Sequence, residues 1–201
     1  MRLDRAGWPF VSGLLALTLV LAPFTYAGAG LGLVLLVFTV NFFRDPERRT
    51  PVDGAALISP ADGKIIRADA KRVSIFMNVF DVHVCRSPVA GTVASVRHEA
   101  GRFLAAMKDQ ASEHNERTTI EVRPADGAPV RFVLVAGLIA RRIVCRVEPG
   151  RELASGERVG IIRFGSRVDV DIPQGATPAV EVGQRVVAGE TVIARGSRGP
   201  A

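Results

Sequence analysis

A run of 38 consecutive residues, 6–43, contains no charged side chain. A helix made of such a run has no polar face to turn toward water, so the segment must be buried or lie in lipid. Pro23 and the small residues around Tyr26 to Gly30 divide it into two apolar arms, 8–22 and 28–43. At the rise of an α-helix each arm is about 22 to 24 Å long, short of the roughly 30 Å of a hydrocarbon core. A helical hairpin fits both facts. Arg2 and Arg5 precede it and Arg44, Arg48 and Arg49 follow it, so positive charge on both flanks keeps both ends on the cytoplasmic side. A cleaved signal peptide is the main rival, but the second arm continues well past any cleavage site near Ala27 to Gly30. The expected division is a membrane-associated hairpin with a basic neck at 1–49, and a single folded body at 50–201.

The body reads as β-structure. Short β-branched runs at 73–76, 91–96, 118–122, 130–135, 138–147, 160–164 and 168–172 are punctuated by glycine and proline. The expected fold is mainly β, a compact sandwich or barrel-like domain with a short helical excursion near 102–111. A weak internal echo links Ser155-Gly156-Glu157-Arg158-Val159-Gly160 to Glu181-Val182-Gly183-Gln184-Arg185-Val186, followed by Ala188-Gly189-Glu190. Glycine-linked turns of this kind occur in biotinyl-like modules. A carrier domain needs a modifiable lysine on such a hairpin, however, and the last lysine is Lys108.

Lysine and arginine outnumber aspartate and glutamate by 26 to 20, which reports attraction to anions without naming one. Cys85 and Cys145 are the only cysteines, 60 residues apart, which argues against a disulfide scaffold or a cysteine zinc site and fits two reduced thiols. No metal site is expected, since no H-E-x-x-H pattern occurs among the three histidines His83, His98 and His114.

Three polar groups have the composition of a reactive site. Asp81-Val82-His83 alternates so that, on an extended strand, acid and imidazole share one face. Asp62 within Ser59-Pro60-Ala61-Asp62-Gly63 either orients an imidazole or closes an Asx turn. Gly165-Ser166, flanked by Arg163 and Arg167, lacks the G-x-S-x-G elbow of hydrolases, yet allows a serine hydroxyl to approach the preceding carbonyl.

Taken in order, these segments resemble the short form of the pyruvoyl-dependent phosphatidylserine decarboxylase family. The resemblance rests on the apolar hairpin with F-F-R-D-P-E-R at 42–48, S-P-A-D-G at 59–63, F-D-V-H-V-C-R-S-P-V-A-G at 80–91, H-N-E-R at 114–117 and F-G-S-R-V-D at 164–169, and spans nearly the whole chain. It implies a zymogen cut between Gly165 and Ser166 into 1–165 and 166–201, two pieces that stay together as a heterodimer. Ser166 would attack the Gly165 carbonyl and become a pyruvoyl cofactor. That group would form a Schiff base with phosphatidylserine and yield phosphatidylethanolamine and carbon dioxide at the cytoplasmic face of the cell membrane.

The resemblance also assigns roles. Asp62 matches the family aspartate of self-processing, and His83 the first histidine of D-x-H-x-x-H, whose second position here is Arg86. Arginine is a poor proton acceptor, so the usual processing assignment does not carry over intact. His83 is the first choice for proton transfer, with His98 as the alternative base and a candidate substrate contact. Arg86 and Arg117 are candidate contacts for the phosphate or carboxylate of anionic lipid, and His114 is assigned to a polar turn or a headgroup-facing network. A decarboxylase of a related aminophospholipid and a lipid-binding homologue without catalysis are the alternatives; a nucleic-acid partner is not expected, and higher oligomers are left open.

Overall fold

The computed structural model describes residues 2–51, 56–101, 115–137, 142–163 and 166–196, which divide into compact units at 1–47 and 48–201. In the first unit β1 (Arg2–Leu3) pairs antiparallel with β2 (Arg44–Asp45), Arg2 opposite Asp45. The two ends of the apolar run are thereby brought together. Between them lie α1 (Trp8–Leu21), with a proline in its first turn, and α2 (Tyr26–Phe42), capped by Thr25. The helices pack on each other at Gly32, where a Cβ would collide with the Thr18 side chain. Phe10 stacks on Phe43 with ring centroids 5.5 Å apart. Trp8, Leu19, Phe24, Tyr26, Leu31 and Val34 are all exposed. Among the described residues no helix is long and apolar enough to cross a membrane. The hairpin expected from the sequence is therefore present, with arms of about 21 and 26 Å.

The second unit is built from strands β3 (Ala56–Ile58), β4 (Gly63–Ala68), β5 (Arg72–Met77), β6 (Val84–Arg86), β7 (Gly91–Glu99), β8 (Arg117–Arg123) and β9 (Val130–Ala136). The chain continues through β10 (Ile143–Cys145), β11 (Glu152–Leu153), β12 (Arg158–Ile162), β13 (Ser166–Asp171), β14 (Ala176–Pro178), β15 (Arg185–Val186) and β16 (Val192–Gly196). An eight-stranded antiparallel sheet runs β11-β7-β8-β9-β13-β5-β4-β15, accompanied by three-stranded sheets β10-β12-β6 and β14-β16-β3. The fold is mainly β, as expected, but the sheets are open: the large one ends at β11 and β15. The helical excursion expected near 102–111 lies outside the described residues.

This topology contains a repeat that the sequence echo only hinted at. Strands β6-β7-β8-β9-β10-β11-β12 pair among themselves as β3-β4-β5-β13-β14-β15-β16 do. β15 meets β4 at Gly63 and Lys64 as β11 meets β7 at Gly91 and Thr92. β4 and β7 carry matching register shifts, between Ile65 and Arg67 and between Val93 and Ser95. The Ser59 and Ser87 hydroxyls each donate at 2.7 Å to the carbonyl two residues on, and the two Ser-Pro turns bond reciprocally, Ile58 N to Pro88 O and Arg86 N to Pro60 O, both 2.9 Å. Gly63 and Gly91 hold φ of 151° and 152°, and a Cβ at either would strike a neighbouring carbonyl, so neither position accepts another residue without strain. The echo is therefore re-registered: 147–157 corresponds to 180–190, aligning Gly156 with Gly189 instead of with Gly183.

One half of the repeat is nested inside the other. β8 and β9 are joined by a short turn, whereas the corresponding strands β5 and β13 are separated in the chain by the whole of 84–162. β13 consequently enters the middle of the sheet, between β5 and β9, at the point where the inserted half ends. Side chains alternate along β13, so Ser166, Val168 and Val170 face the core that contains Ile75, Phe132 and Leu134, while Arg167 and Asp169 point the other way.

Candidate functional site

Ser166 is the first residue of β13, opposite Met77 on β5 and Ala136 on β9. It is completely buried, and its Oγ has no hydrogen-bond partner among the described residues. An unsatisfied buried hydroxyl costs about 1–3 kcal/mol, so a serine here is poor packing and calls for a chemical reason. The next residue is anchored firmly: Arg167 Nε donates to Asp169 Oδ1 at 2.6 Å and Nη2 to Ser74 Oγ at 3.0 Å, with Arg167 and Asp169 each 1% exposed.

Residues 78–83 connect β5 to β6. The sequence suggested an extended strand with Asp81 and His83 on one face; the structure instead folds the segment into a turn. Asp81 N donates to Asn78 O at 3.0 Å, Asn78 N returns to Asp81 Oδ2 at 2.8 Å, and Phe80 N bonds Asn78 Oδ1 at 2.8 Å. The other Asp81 oxygen binds Arg185. The Asp81 carboxylate is thus committed to the turn and to β15, and His83 Nδ1 meets the Asp81 backbone carbonyl at 2.9 Å. A carbonyl oxygen only accepts, so Nδ1 carries the proton and Nε2 is the basic nitrogen of the neutral ring. His83 is fully buried, and its own carbonyl accepts from Ile162 N at 3.3 Å.

The register brings this turn and the serine together from both ends. Met77, just before the turn, pairs with Ser166, and His83, at its end, bonds Ile162 at the end of β12. Ile162, which ends β12, and Ser166, which opens β13 in a different sheet, therefore each lie beside one end of the 78–83 turn. Gly165 itself lies outside the described residues.

Asp62 lies in the Ser-Pro turn before β4. Its Oδ1 accepts from Ala188 N at 2.7 Å, and Arg48 Nη2 sits 3.1 and 2.8 Å from its two oxygens. Burial pushes the carboxyl above the ordinary carboxylate range, the Ala188 amide and Arg48 pull it back, and the nearby Asp81 charge pushes it up further. Cys85 is also close enough to feel Asp62, and burial raises its thiol far out of the reactive range. Both cysteines are free.

The remaining candidates are scattered. Arg86 is buried, with Nη1 donating to Gly156 O at 2.9 Å, inside the turn that matches the Asp62-bearing half. Arg117, the first residue of β8, pairs with Glu99 at the end of β7, and register places it on the Arg167 face of the sheet, away from Ser166. His98 is half-exposed, 3.0 Å from Thr118 Oγ1, and three strand spacings, roughly 14 Å, from β13. His114 lies outside the described residues. Two residues that carried no assignment in the sequence join the site: Arg48, through Asp62, and Asn115, which is buried and donates at 2.8 Å to Ala136 O beside Ser166. The H-N-E-R motif contained Asn115 and the F-F-R-D-P-E-R motif ended on Arg48, but neither motif named the partner of its residue.

The phosphatidylserine decarboxylase family profile matches residues 35–194. A phosphatidylserine decarboxylase proenzyme from Ralstonia nicotianae is 47% identical over 205 residues, covering 94% of each chain. One from Aromatoleum aromaticum is also 47% identical, covering 96% of this chain and 94% of its own, and one from Paramagnetospirillum magneticum is 43% identical with 96% and 86% covered. With the family profile spanning most of its length and relatives aligned over 94–96% of it, the chain belongs to the phosphatidylserine decarboxylase family.

Proposed function

We propose that this chain is a pyruvoyl-dependent phosphatidylserine decarboxylase that activates itself by cutting between Gly165 and Ser166. The observation that carries the reading is the buried Ser166 hydroxyl, without a partner among the described residues, at the head of a central strand in a chain whose relatives are named proenzymes. In maturation the Ser166 Oγ attacks the Gly165 carbonyl carbon, and the peptide C–N bond is exchanged for a C–O ester. Loss of the 166 α-proton expels 1–165 as a carboxylate; hydrolysis of the resulting enamine releases ammonia and leaves a pyruvoyl group.

Neutral His83, its tautomer fixed by the Asp81 carbonyl, is the proton carrier. Asp62 supplies negative charge to the processing centre. Ser166 is a fitting place for the cofactor, since β13 is held on both sides and Arg167 fixes the residue that follows. When formed, the group supplies an electron sink for carboxylate loss. The protein's part is to keep water out, hold the substrate amine and return a proton. Arg86 remains a candidate contact for the headgroup phosphate or carboxylate, whereas Arg117, on the face of the sheet away from Ser166, is set aside.

The hairpin supports a lipid substrate. Its exposed apolar side chains suit the acyl region of a membrane, and the β1–β2 pairing returns the chain to its starting side. The basic flanks put that side at the cytoplasmic face. Intact-mass measurement on purified full-length protein tests the reading: two chains, the smaller starting with pyruvoyl at 166, together with carbon dioxide release from phosphatidylserine in mixed micelles, are expected. Ser166→Ala should give one uncut, inactive chain. Turnover by an uncut chain, or normal cutting in S166A, would overturn it.

A further inference from the structure

Asp62 is held from two directions that are far apart in the chain. One tie is the Ala188 amide, from the strand-to-strand turn before β16; the other is Arg48, a residue of the basic neck and the first of the second unit. The Arg48–Asp62 pair is well shielded, with side chains 13% and 14% exposed, so its charge interaction is little screened by solvent. The 48–51 segment is fixed at more than this point. Arg49 N donates to Glu190 Oε1 at 3.2 Å, and the stems of Arg48 and Arg86 both border Gly189.

Resting on the assignment of Asp62 to self-cleavage, we propose that Arg48 is the positioning residue for Asp62: it ties the carboxylate to the neck and thereby sets the pH range in which the chain matures.

The charge balance around Asp62 makes Arg48 decisive. Among the described residues, the groups facing the carboxylate are Arg48 from the neck, Asp81 from the 78–83 turn, with Arg185 of β15 bound to that aspartate, and the thiol of Cys85 on β6; Arg86 stands beyond Gly189. Burial and Asp81 both favour the protonated acid, and Arg48 is the side chain that opposes them. Without its guanidinium the carboxyl rises further, and the charged form is lost on the acid side of the working range. A mere fastening of the neck predicts no such movement.

The test follows cleavage of freshly synthesised full-length chain in detergent micelles, by intact mass across a pH series, for wild type, Arg48→Met, Arg48→Lys and Asp62→Asn. Expected are an uncut D62N chain, an acid limb in R48M displaced to higher pH with cleavage about tenfold slower at its acid end, and restoration in R48K, which keeps the cation. If D62N stays uncut while R48M follows the wild-type profile, the role of Arg48 is refuted and the proposed function stands. If D62N cuts normally, the Asp62 assignment and this inference fall together. Should R48M fail to fold, carbon-13 titration of Asp62 in the uncut S166A chain, with and without Arg48→Gln, decides the matter: an unmoved titration refutes the proposal, and an upward one supports it.

Discussion

Asp62 and His83 show how burial sets the properties of single side chains here. The Asp62 carboxyl is raised in the folded chain, so the fold prefers its protonated form. The stabilisation this gives is complete below the ordinary carboxylate range and is lost as pH rises through the raised value. In an S166A background, which removes cleavage from the comparison, Asp62→Asn should therefore gain on its parent as pH rises from acid to neutral, read as the difference in urea midpoints at the two pH values. A difference independent of pH would contradict the raised carboxyl. His83 is the complementary case, a buried ring whose Nδ1 proton is committed to a backbone carbonyl. Replacing it by alanine should slow self-cleavage by about 10²- to 10⁴-fold, the usual weight of a positioned proton carrier. Cleavage and decarboxylation rates measured separately would show which step depends on it, and normal rates in both would remove it from the chemistry.

At the scale of elements, β13 combines a reactive end with a polar anchor. Its Arg167–Asp169 pair is buried to 1% exposure and reaches Ser74 on β5. A buried pair of this kind adds little net stability, but removing one partner of it costs about 3–5 kcal/mol. Arg167→Met in the S166A chain should lower stability by that order in urea unfolding, and pairing it with Asp169→Leu should recover a substantial part. Equal losses in the single and double variants would rule out the ion-pair account. The pair also fixes register, because a slip by one residue would turn Arg167 into the core and Ser166 out of it.

Much of this element was legible in advance. The expected run at 168–172 falls within one residue of the observed strand at its far end, and 130–135 and 118–122 each lie inside observed strands. What local pattern could not supply was partnership. The alternation of Asp81 and His83 read as a strand because hydrogen bonds to Asn78 and Arg185 are invisible in it. Arg48 read only as a positive flank of the hairpin, since its partner is 14 residues away. Arg117 seemed free to meet substrate until the register put it on the opposite face of the sheet.

In the whole second unit, the proposed cut falls where the nested half returns to the outer one. The inserted half, β6 to β12, is continuous; the outer half is divided, with β3 to β5 on one proposed fragment and β13 to β16 on the other. The contacts that join the two parts of the outer half then cross between fragments, among them β13 with β5, β15 with β4 and β16 with β3, together with Ala188 N on Asp62 and Arg185 on Asp81, and β13 also crosses to β9. Losing the 166–201 piece would open the middle of the large sheet and expose Val168, Val170 and Ile193, each contributing about 1.5–3 kcal/mol when buried. Release of the small fragment and global unfolding should therefore be one event. Mature protein mixed with isotopically labelled mature protein, and followed by intact mass of the separated chains in native and denaturing buffers, should show no exchange of the small fragment below the unfolding midpoint and free exchange above it. Exchange under native conditions would mean that β13 is an edge the sheet can do without, contrary to its position between β5 and β9.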